Sequence, residues 1–219
     1  MIARGYGGRI LLLDVTDGRS PLEPVTDEMA RGLLGGNGFA ARLLLDHVPA
    51  GVDAYHEANA VVFAVGPITD TTVPGNSRAC VASKSPLTGL FFDSTFGGRF
   101  PATMKRTGFD AIVITGRAAE PVYVKVTEAG VEIRPARGLW GQTTRDTVQA
   151  VHAIEGGDAD VMAIGPGGEN LLRFPAMGTY WKNREAFAGR GGIAAVLGSK
   201  RVKALVVAGG AKSRLADAA

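Results

Sequence analysis

An α+β fold built from mixed β-sheets with a few helices is the class this sequence predicts, on three observations. Short β-branched runs bounded by Gly, Pro, Asn or Asp recur along the whole chain. Helical periodicity is rarer and does not alternate regularly with those runs, which argues against a doubly wound sheet. Two strand-like heptamers also recur at nearly equal spacing, the mark of an internal duplication.

The clearest strand candidates are "GRILLLDV" (8–15), "AVVFAVG" (60–66), "RACVAS" (78–83) and "DAIVITG" (110–116). "VYVKV" (122–126), "VEIRP" (131–135), "DVMAIG" (160–165) and "KALVVAG" (203–209) complete the set. "EAGVE" supplies the glycine a hairpin turn needs. Residues 26–48 carry apolar positions at helical spacing with Thr26 as a cap, interrupted by Gly35, Gly36 and Gly38. Two helices meeting at a glycine junction are expected there. Residues 143–157 read as an amphipathic helix with a glycine stop, and "IAAVLGSK" as a further helix.

"VVFAVGP" (61–67) echoes "DVMAIGP" (160–166), and "DAIVITG" (110–116) echoes "KALVVAG" (203–209), at offsets of 99 and 93 residues. A glycine-rich segment lies between the strands of each pair, "FGGRF" at 96–100 and "AGRGG" at 188–192. A duplicated unit with two equivalent glycine loops would make a floor for a paired ligand; chance likeness among heptamers is the alternative.

The 219 residues suffice for a sizeable core, and 46% hydrophobic with 21% charged residues is ordinary globular composition. The 31 glycines are about twice the usual share, which implies many special backbone conformations or close approaches. A net charge of +3, spread along the chain, permits an anionic ligand but is no nucleic-acid footprint. One cysteine, Cys80, excludes a disulfide framework and a cysteine-ligated zinc or iron–sulfur site made by this chain alone. Without a signal-peptide core or a long apolar run, a cytoplasmic protein with no membrane partner is expected.

Familiar catalytic patterns fail. "GPGGEN" breaks the dinucleotide fingerprint at Asn170, and "GSK" lacks the rest of a phosphate-binding loop. His47, His56 and His152 have no partner spacing, and Cys80 reads as a buried core residue before it reads as a nucleophile. The loops say more. "PGNSRACVASKSPLTG" (74–89) carries Arg78, a planar five-donor fork suited to phosphate or carboxylate. "FFDSTFGGRF" adds Ser94, Thr95 and the backbone N–H groups of Gly97 and Gly98. "AGRGG" adds Arg190 between glycines, ahead of a helix N-terminus that would favour an anion. Three such loops point to a polyphosphate or pterin-like ligand.

These segments, with "YGGRILLLDVTDG", "LLGGNGFAARLLLDHVPAGVDA", "FAVGPITDTTVPGNSR", "LWGQTT", "AIGPGGENLLRF" and "AGRGGIAAVLGSKRVKALVV", resemble the N-terminal domain of the aldehyde ferredoxin oxidoreductase family along nearly the whole chain. The resemblance implies a saddle-like domain under a tungsten or molybdenum bis-pterin with phosphates linked by magnesium. It implies two-electron oxidation of aldehydes to carboxylic acids, with electrons leaving through a [4Fe–4S] cluster to ferredoxin. Arg78 matches the arginine between pterin and cluster. Ser94, Thr95 and Gly97 match the segment touching the pterin phosphates, with Thr95 a main-chain magnesium contact. Arg184, Phe187, Ala188, Gly189, Arg190 and Gly191 match the contacts from the second half.

This sequence departs from the family pattern at Asn37, at Thr95 and over residues 185–187. Residues 1–208 correspond to the cofactor-binding domain and 209–219 to a linker toward helical domains. Those domains, on the same chain or a partner subunit, would supply the cluster cysteines and acid–base groups; a homodimer is a further implied partner. A free-standing pterin-binding or assembly subunit and the equivalent domain of an acyl-thioester reductase are the alternatives.

Overall fold

The computed structural model describes residues 5–211. One mixed sheet contains β1 (Arg9–Asp14), β2 (Leu22–Pro24), β3 (Val61–Val65), β4 (Ala79–Lys84), β5 (Phe91–Phe96) and β6 (Phe109–Thr115), in the order β2-β1-β6-β3-β4-β5. The other contains β7 (Val122–Thr127), β8 (Gly130–Pro135), β9 (Asp160–Ile164), β10 (Met177–Trp181), β11 (Arg184–Ala188) and β12 (Val202–Ala208), in the order β8-β7-β12-β9-β10-β11. The helices are α1 (Asp27–Leu33), α2 (Asn37–His47), α3 (Phe100–Arg106), α4 (Thr144–Glu155), α5 (Pro166–Glu169) and α6 (Ile193–Ser199). The expected α+β class with mixed sheets is what the chain forms.

Side chains alternate across each strand, and both faces of the central strands are covered. Val61, Phe63 and Val65 of β3 face a central core shared with Val202, Leu205 and Val207 of β12, whereas Val62 and Ala64 face the α2 side. Helices α3 and α6 sit between the sheets and fill that core with Phe100, Met104, Val196 and Leu197. Phe63, Phe96 and Phe100 interlock there with ring centroids 5.7–6.5 Å apart. Truncating Phe100 to alanine is worth about 3–5 kcal/mol on the usual scale of buried aromatic losses. The outer faces are closed by Phe39 and Leu43 of α2 on one side and by Val148 and Val151 of α4 on the other.

The duplication read from the sequence is present as topology. In each sheet the strand pairs run in matching senses, with β1–β6 and β7–β12 the parallel pairs and the other pairs antiparallel. β3 therefore corresponds to β9 and β6 to β12, the strands the two echoes named. Even the irregularities agree. The β1–β6 register skips Asp110, and the β12–β7 register skips Lys203, the second residue of the corresponding strand.

Both skipped residues are buried charges. Asp110 accepts the N–H groups of Gly7 (3.1 Å) and Gly8 (2.7 Å) and pairs with Lys105 at 2.5 Å. Lys203 pairs with Glu169 and donates to the Gln142 carbonyl at 2.8 Å, while Glu169 also accepts the Gly141 N–H at 2.8 Å. Removing one partner of such a pair leaves a buried charge, at about 3–5 kcal/mol. The "YGG", "LWGQ" and "GPGGE" motifs are thereby tied to two strand bulges. A third buried cation, Lys200, donates to the carbonyls of Glu57 (2.9 Å) and Gly116 (3.3 Å), and burial pushes its ammonium down to about 8.

The glycine junction forms as expected: Thr26 Oγ1 accepts the Met29 N–H at 3.1 Å to cap α1, and α2 starts after Gly36. Several elements differ from the sequence reading. Residues 91–96, read as loop, are the edge strand β5, and β10, β11 and α3 had no expectation at all. Of the tail 209–219, residues 212–219 lie outside the described residues.

Candidate functional site

The edge strands β5 and β11 touch where the two halves meet. The registers define their correspondence. Val65 pairs with Ala79, which pairs with Phe96; Ile164 pairs with Met177, which pairs with Ala188. Phe96 thus corresponds to Ala188, Thr95 to Phe187, Ser94 to Ala186, and Gly97 to Gly189. Thr95 and Phe187 are both exposed. Ser94 and Thr95, expected on a loop, and Phe187 and Ala188 lie on these strands.

Arg78 follows a turn braced by Asn76, whose side chain donates to the Thr71 carbonyl at 2.7 Å and accepts the Asp70 N–H at 3.3 Å. Next to it, Ser77 Oγ donates to the Gly98 carbonyl at 2.6 Å, joining this turn to the first glycine loop. The Arg78 side chain lies along Gly97, its Cδ and Nη1 each 3.9 Å from where a Cβ would stand. Ala176 precedes Met177 at the corresponding position of the second half, so the arginine has no twin.

Gly97 and Gly189 share a second property. Neither has a left-handed backbone; a Cβ on Gly97 would meet its nearest neighbour at 3.4 Å, and one on Gly189 nothing within 4 Å. The fold itself does not require glycine at either position. Gly191 differs: a Cβ there would collide with the Phe92 ring, and its carbonyl accepts Ser85 Oγ at 2.6 Å. The start of α6 is likewise enclosed. Gly192 packs against the Arg173 carbonyl and Pro86, and all seven helical residues are buried, so this N-terminus is not the open anion site the sequence implied.

Arginines near the seam differ in whether a carboxylate holds them. Arg99, Arg106 and Arg145 are paired with Asp160, Asp70 and Glu185. Among the described residues, Arg78, Arg184 and Arg190 have no ion-pair partner, and all three are exposed. Arg184 opens on a cavity of about 410 Å³ at the seam, with Ser77, Gly98, Arg99, Trp181 and Glu185 in its wall. A larger cavity, about 790 Å³, contains only the paired arginines Arg99 and Arg106. The seam cavity, unlike the larger hollow, is thus lined by an arginine without a carboxylate partner among the described residues.

The remaining candidates fall as read. Burial pushes the Cys80 thiol up to about 12, which makes it a core residue facing the α2 side. Burial holds the His152 imidazole below its ordinary range, with Asp160 opposing that and Arg99 adding to it. Among the described residues no group of three His, Cys, Asp or Glu side chains could hold a metal. Two contacts escaped sequence reasoning: Asn37 Nδ2 donating to Asp93 at 2.7 Å, and Arg99 reaching Asp160. Arg99 stands inside "FGGRF", but nothing local signals a partner in the other half.

Comparison with known proteins identifies the family. The family model described as aldehyde ferredoxin oxidoreductase, N-terminal domain, matches residues 10–209. The tungsten-containing aldehyde ferredoxin oxidoreductase of Pyrococcus abyssi is 42% identical over 97% of this chain and 35% of its own length. That of Pyrococcus furiosus is 37% identical over 97% and 35%. The WOR-like subunit of the aliphatic sulfonate oxidoreductase of Pyrococcus furiosus is 29% identical over 93% and 34%. Among solved structures, the active-site complex of benzoyl coenzyme A reductase superposes with a TM-score of 0.90 at 33% identity, over 95% of this chain and 32% of that one. The chain spans about a third of the length of these relatives.

Proposed function

The chain belongs to the aldehyde ferredoxin oxidoreductase family as its N-terminal domain, and on that premise we propose that it is the cofactor-binding floor of an oxidoreductase. The group to be held would be a bis-pterin carrying tungsten or molybdenum, together with magnesium. The residues fit it. Gly97 and Gly189 leave open backbone at corresponding positions of the two halves; the unpaired Arg78 lies along Gly97, Arg190 follows Gly189 in sequence, and Arg184 opens on the seam cavity beside Gly98. That pairing of open glycines with unpaired arginines carries the reading.

When bound, the group supplies a sink for the two electrons released as an aldehyde and water become a carboxylic acid and two protons. This chain's part is to bind and orient. Arg78 would neutralise charge at one pterin edge, its guanidinium unspent on any carboxylate. The backbone of Ser94, Thr95 and Gly97, and of Phe187 to Arg190, would meet the phosphates, with the Thr95 carbonyl offered to magnesium. Buried Gly191 would act indirectly, by fixing its loop. The [4Fe–4S] cluster, the acid–base groups and the contact with ferredoxin fall to the other two thirds of such an enzyme, on the same chain or a partner subunit, and a homodimer is compatible with this division. We place it in the cytoplasm on its single buried cysteine, which asks for no oxidising compartment. Among the described residues no helix is long and apolar enough to cross a membrane.

A second reading has its own support: the benzoyl coenzyme A reductase match makes an acyl-thioester reductase domain the alternative chemistry on the same floor. A free-standing pterin-binding or assembly subunit is a third. Metal and pterin analysis of the purified chain, produced in a host that makes the cofactor, tests the shared core of all three. Pterin at near-stoichiometric levels, abolished by Gly97→Val, is the expected result. Absence of pterin both from the chain and from its complex with the remaining domains overturns the proposal.

A further inference from the structure

The structure assigns a positioning role to Arg99: clipped to Asp160 across the seam, it fixes the backbone of the Gly97–Gly98 loop. This rests on the reading of that loop as a ligand-binding segment. Arg99 follows the two glycines directly, but its side chain leaves the loop and enters the other half. Nε donates to Asp160 Oδ2 at 2.7 Å, and Nη2 donates to the carbonyls of Gly157 (3.1 Å) and Asp158 (2.8 Å). Its guanidinium lies over Trp181, 5.2 Å from the ring centroid. One side chain thus holds the start of β9 and the end of β10.

The anchor itself is rigid. Asp160 is 1% exposed, and its Oδ2 also accepts Thr103 Oγ1 from the next turn of α3 at 2.5 Å. Among the described residues its Oδ1 has no hydrogen-bond partner, so the carboxylate holds these groups through one oxygen. A fork of donors spread over a carboxylate and two carbonyls is a geometry that arginine supplies and lysine does not. Ser77 Oγ pins the Gly98 carbonyl on the peptide that enters Arg99, and the pairing of Phe96 with Ala79 in β4 holds the other end of the loop. The loop is therefore held at both ends while the Gly97 backbone stays open.

The clip has no counterpart in the second half. Asp160 corresponds to Val61, and the second loop, one residue longer, is held instead by Ser85 Oγ on the Gly191 carbonyl and by Phe92. Loosening Arg99 should therefore free one loop and spare the other. A general loss of stability would free both.

Hydrogen exchange by mass spectrometry on the purified chain separates these outcomes without needing the ligand. Arg99→Gln is expected to speed exchange over residues 94–100 at least about tenfold, with residues 186–192 changed less than about twofold. Arg99→Lys, which keeps a charge for Asp160 but cannot span both carbonyls, should fall between. Unchanged exchange over 94–100, or an equal rise in both segments, overturns the clip. Should Arg99→Gln fail to fold, Arg99→Lys alone decides by the same two segments. Pterin content tests the positioning role separately: the clip predicts at least about a fivefold loss per folded Arg99→Gln chain, and undiminished content overturns that role. If the parent chain and its complex hold no pterin, the cofactor proposal fails, while the exchange pattern still decides whether Arg99 fixes the loop.

Discussion

The two halves of this molecule share a topology and differ in what they put on it. Each has six strands in one order, a bulge at the second residue of its innermost parallel strand, and a glycine loop leading from an edge strand into a buried helix. Backbone geometry is repeated; side-chain chemistry is not. At the bulge, one half buries an aspartate and the other a lysine. At the site, Arg78 and Thr95 of the first half stand against Ala176 and Phe187 of the second. The halves also hold each other's loops, through Arg99 and Asp160 in one direction and through Ser85 and Phe92 in the other. A duplicated backbone keeps the two halves alike, and unequal side chains would let the proposed cofactor be met differently on its two sides.

The sharpest way to break the comparison is at the bulges. Asp110→Ala strands Lys105, and Glu169→Ala strands Lys203, each without a carboxylate in a site almost closed to water. Both should cost about 3–5 kcal/mol in urea unfolding, despite the reversed charge order. A loss under about 1 kcal/mol in only one of them would show that the two pairs are not equivalent.

Gly198→Ala comes next. A Cβ there would run into the Gly168 carbonyl, because α5 packs against α6. The corresponding position in α3 is Lys105, and the first half has no helix like α5. Overpacking should cost about 1–3 kcal/mol, read as a lowered unfolding midpoint. The opposite is expected at Gly97→Ala, where no clash or left-handed backbone intervenes: stability within about 1 kcal/mol of the parent, with pterin content reduced. Parent-like pterin content in Gly97→Ala would count against the open-backbone argument.

The smallest effect is a pH dependence that belongs to one half. The folded chain holds the His152 imidazole below its ordinary value of 6.5, chiefly by burial. The unfolded chain therefore binds the proton first as pH falls. This contribution is fully present above about 6.5 and declines as pH drops toward the folded value. Urea midpoints between about pH 7.5 and 5 should fall more steeply for the parent than for His152→Gln, and parallel curves would exclude the coupling.

Much of the fold was legible. Strands such as β3, β6, β9 and β12 are buried on both faces and show themselves as unbroken apolar runs, and their echoes exposed the duplication. β5, β10 and β11 were not legible. "FFDSTF", "MGTYW" and "REAFA" lie at or beside a sheet edge, where pairing and partial cover, rather than intrinsic preference, make the strand. The site was half legible for the same reason: its arginines and glycines announce themselves locally, but their surroundings come from strands the sequence does not declare.

What the sequence by itself determined is whatever depends on neighbours a few residues away: the alternation that makes buried strands, the Thr26 cap, the glycine junction, and the family motifs. What only the tertiary structure decided is which charges are spent and which are free. Arg78 and Arg99 look alike in sequence, each beside a glycine loop. Asp160, 61 residues beyond Arg99, commits one of them to the fold, and among the described residues no carboxylate pairs with the other. An ion pair across a seam depends on chain segments brought together by burial of a shared core, and a local pattern carries no trace of that distance.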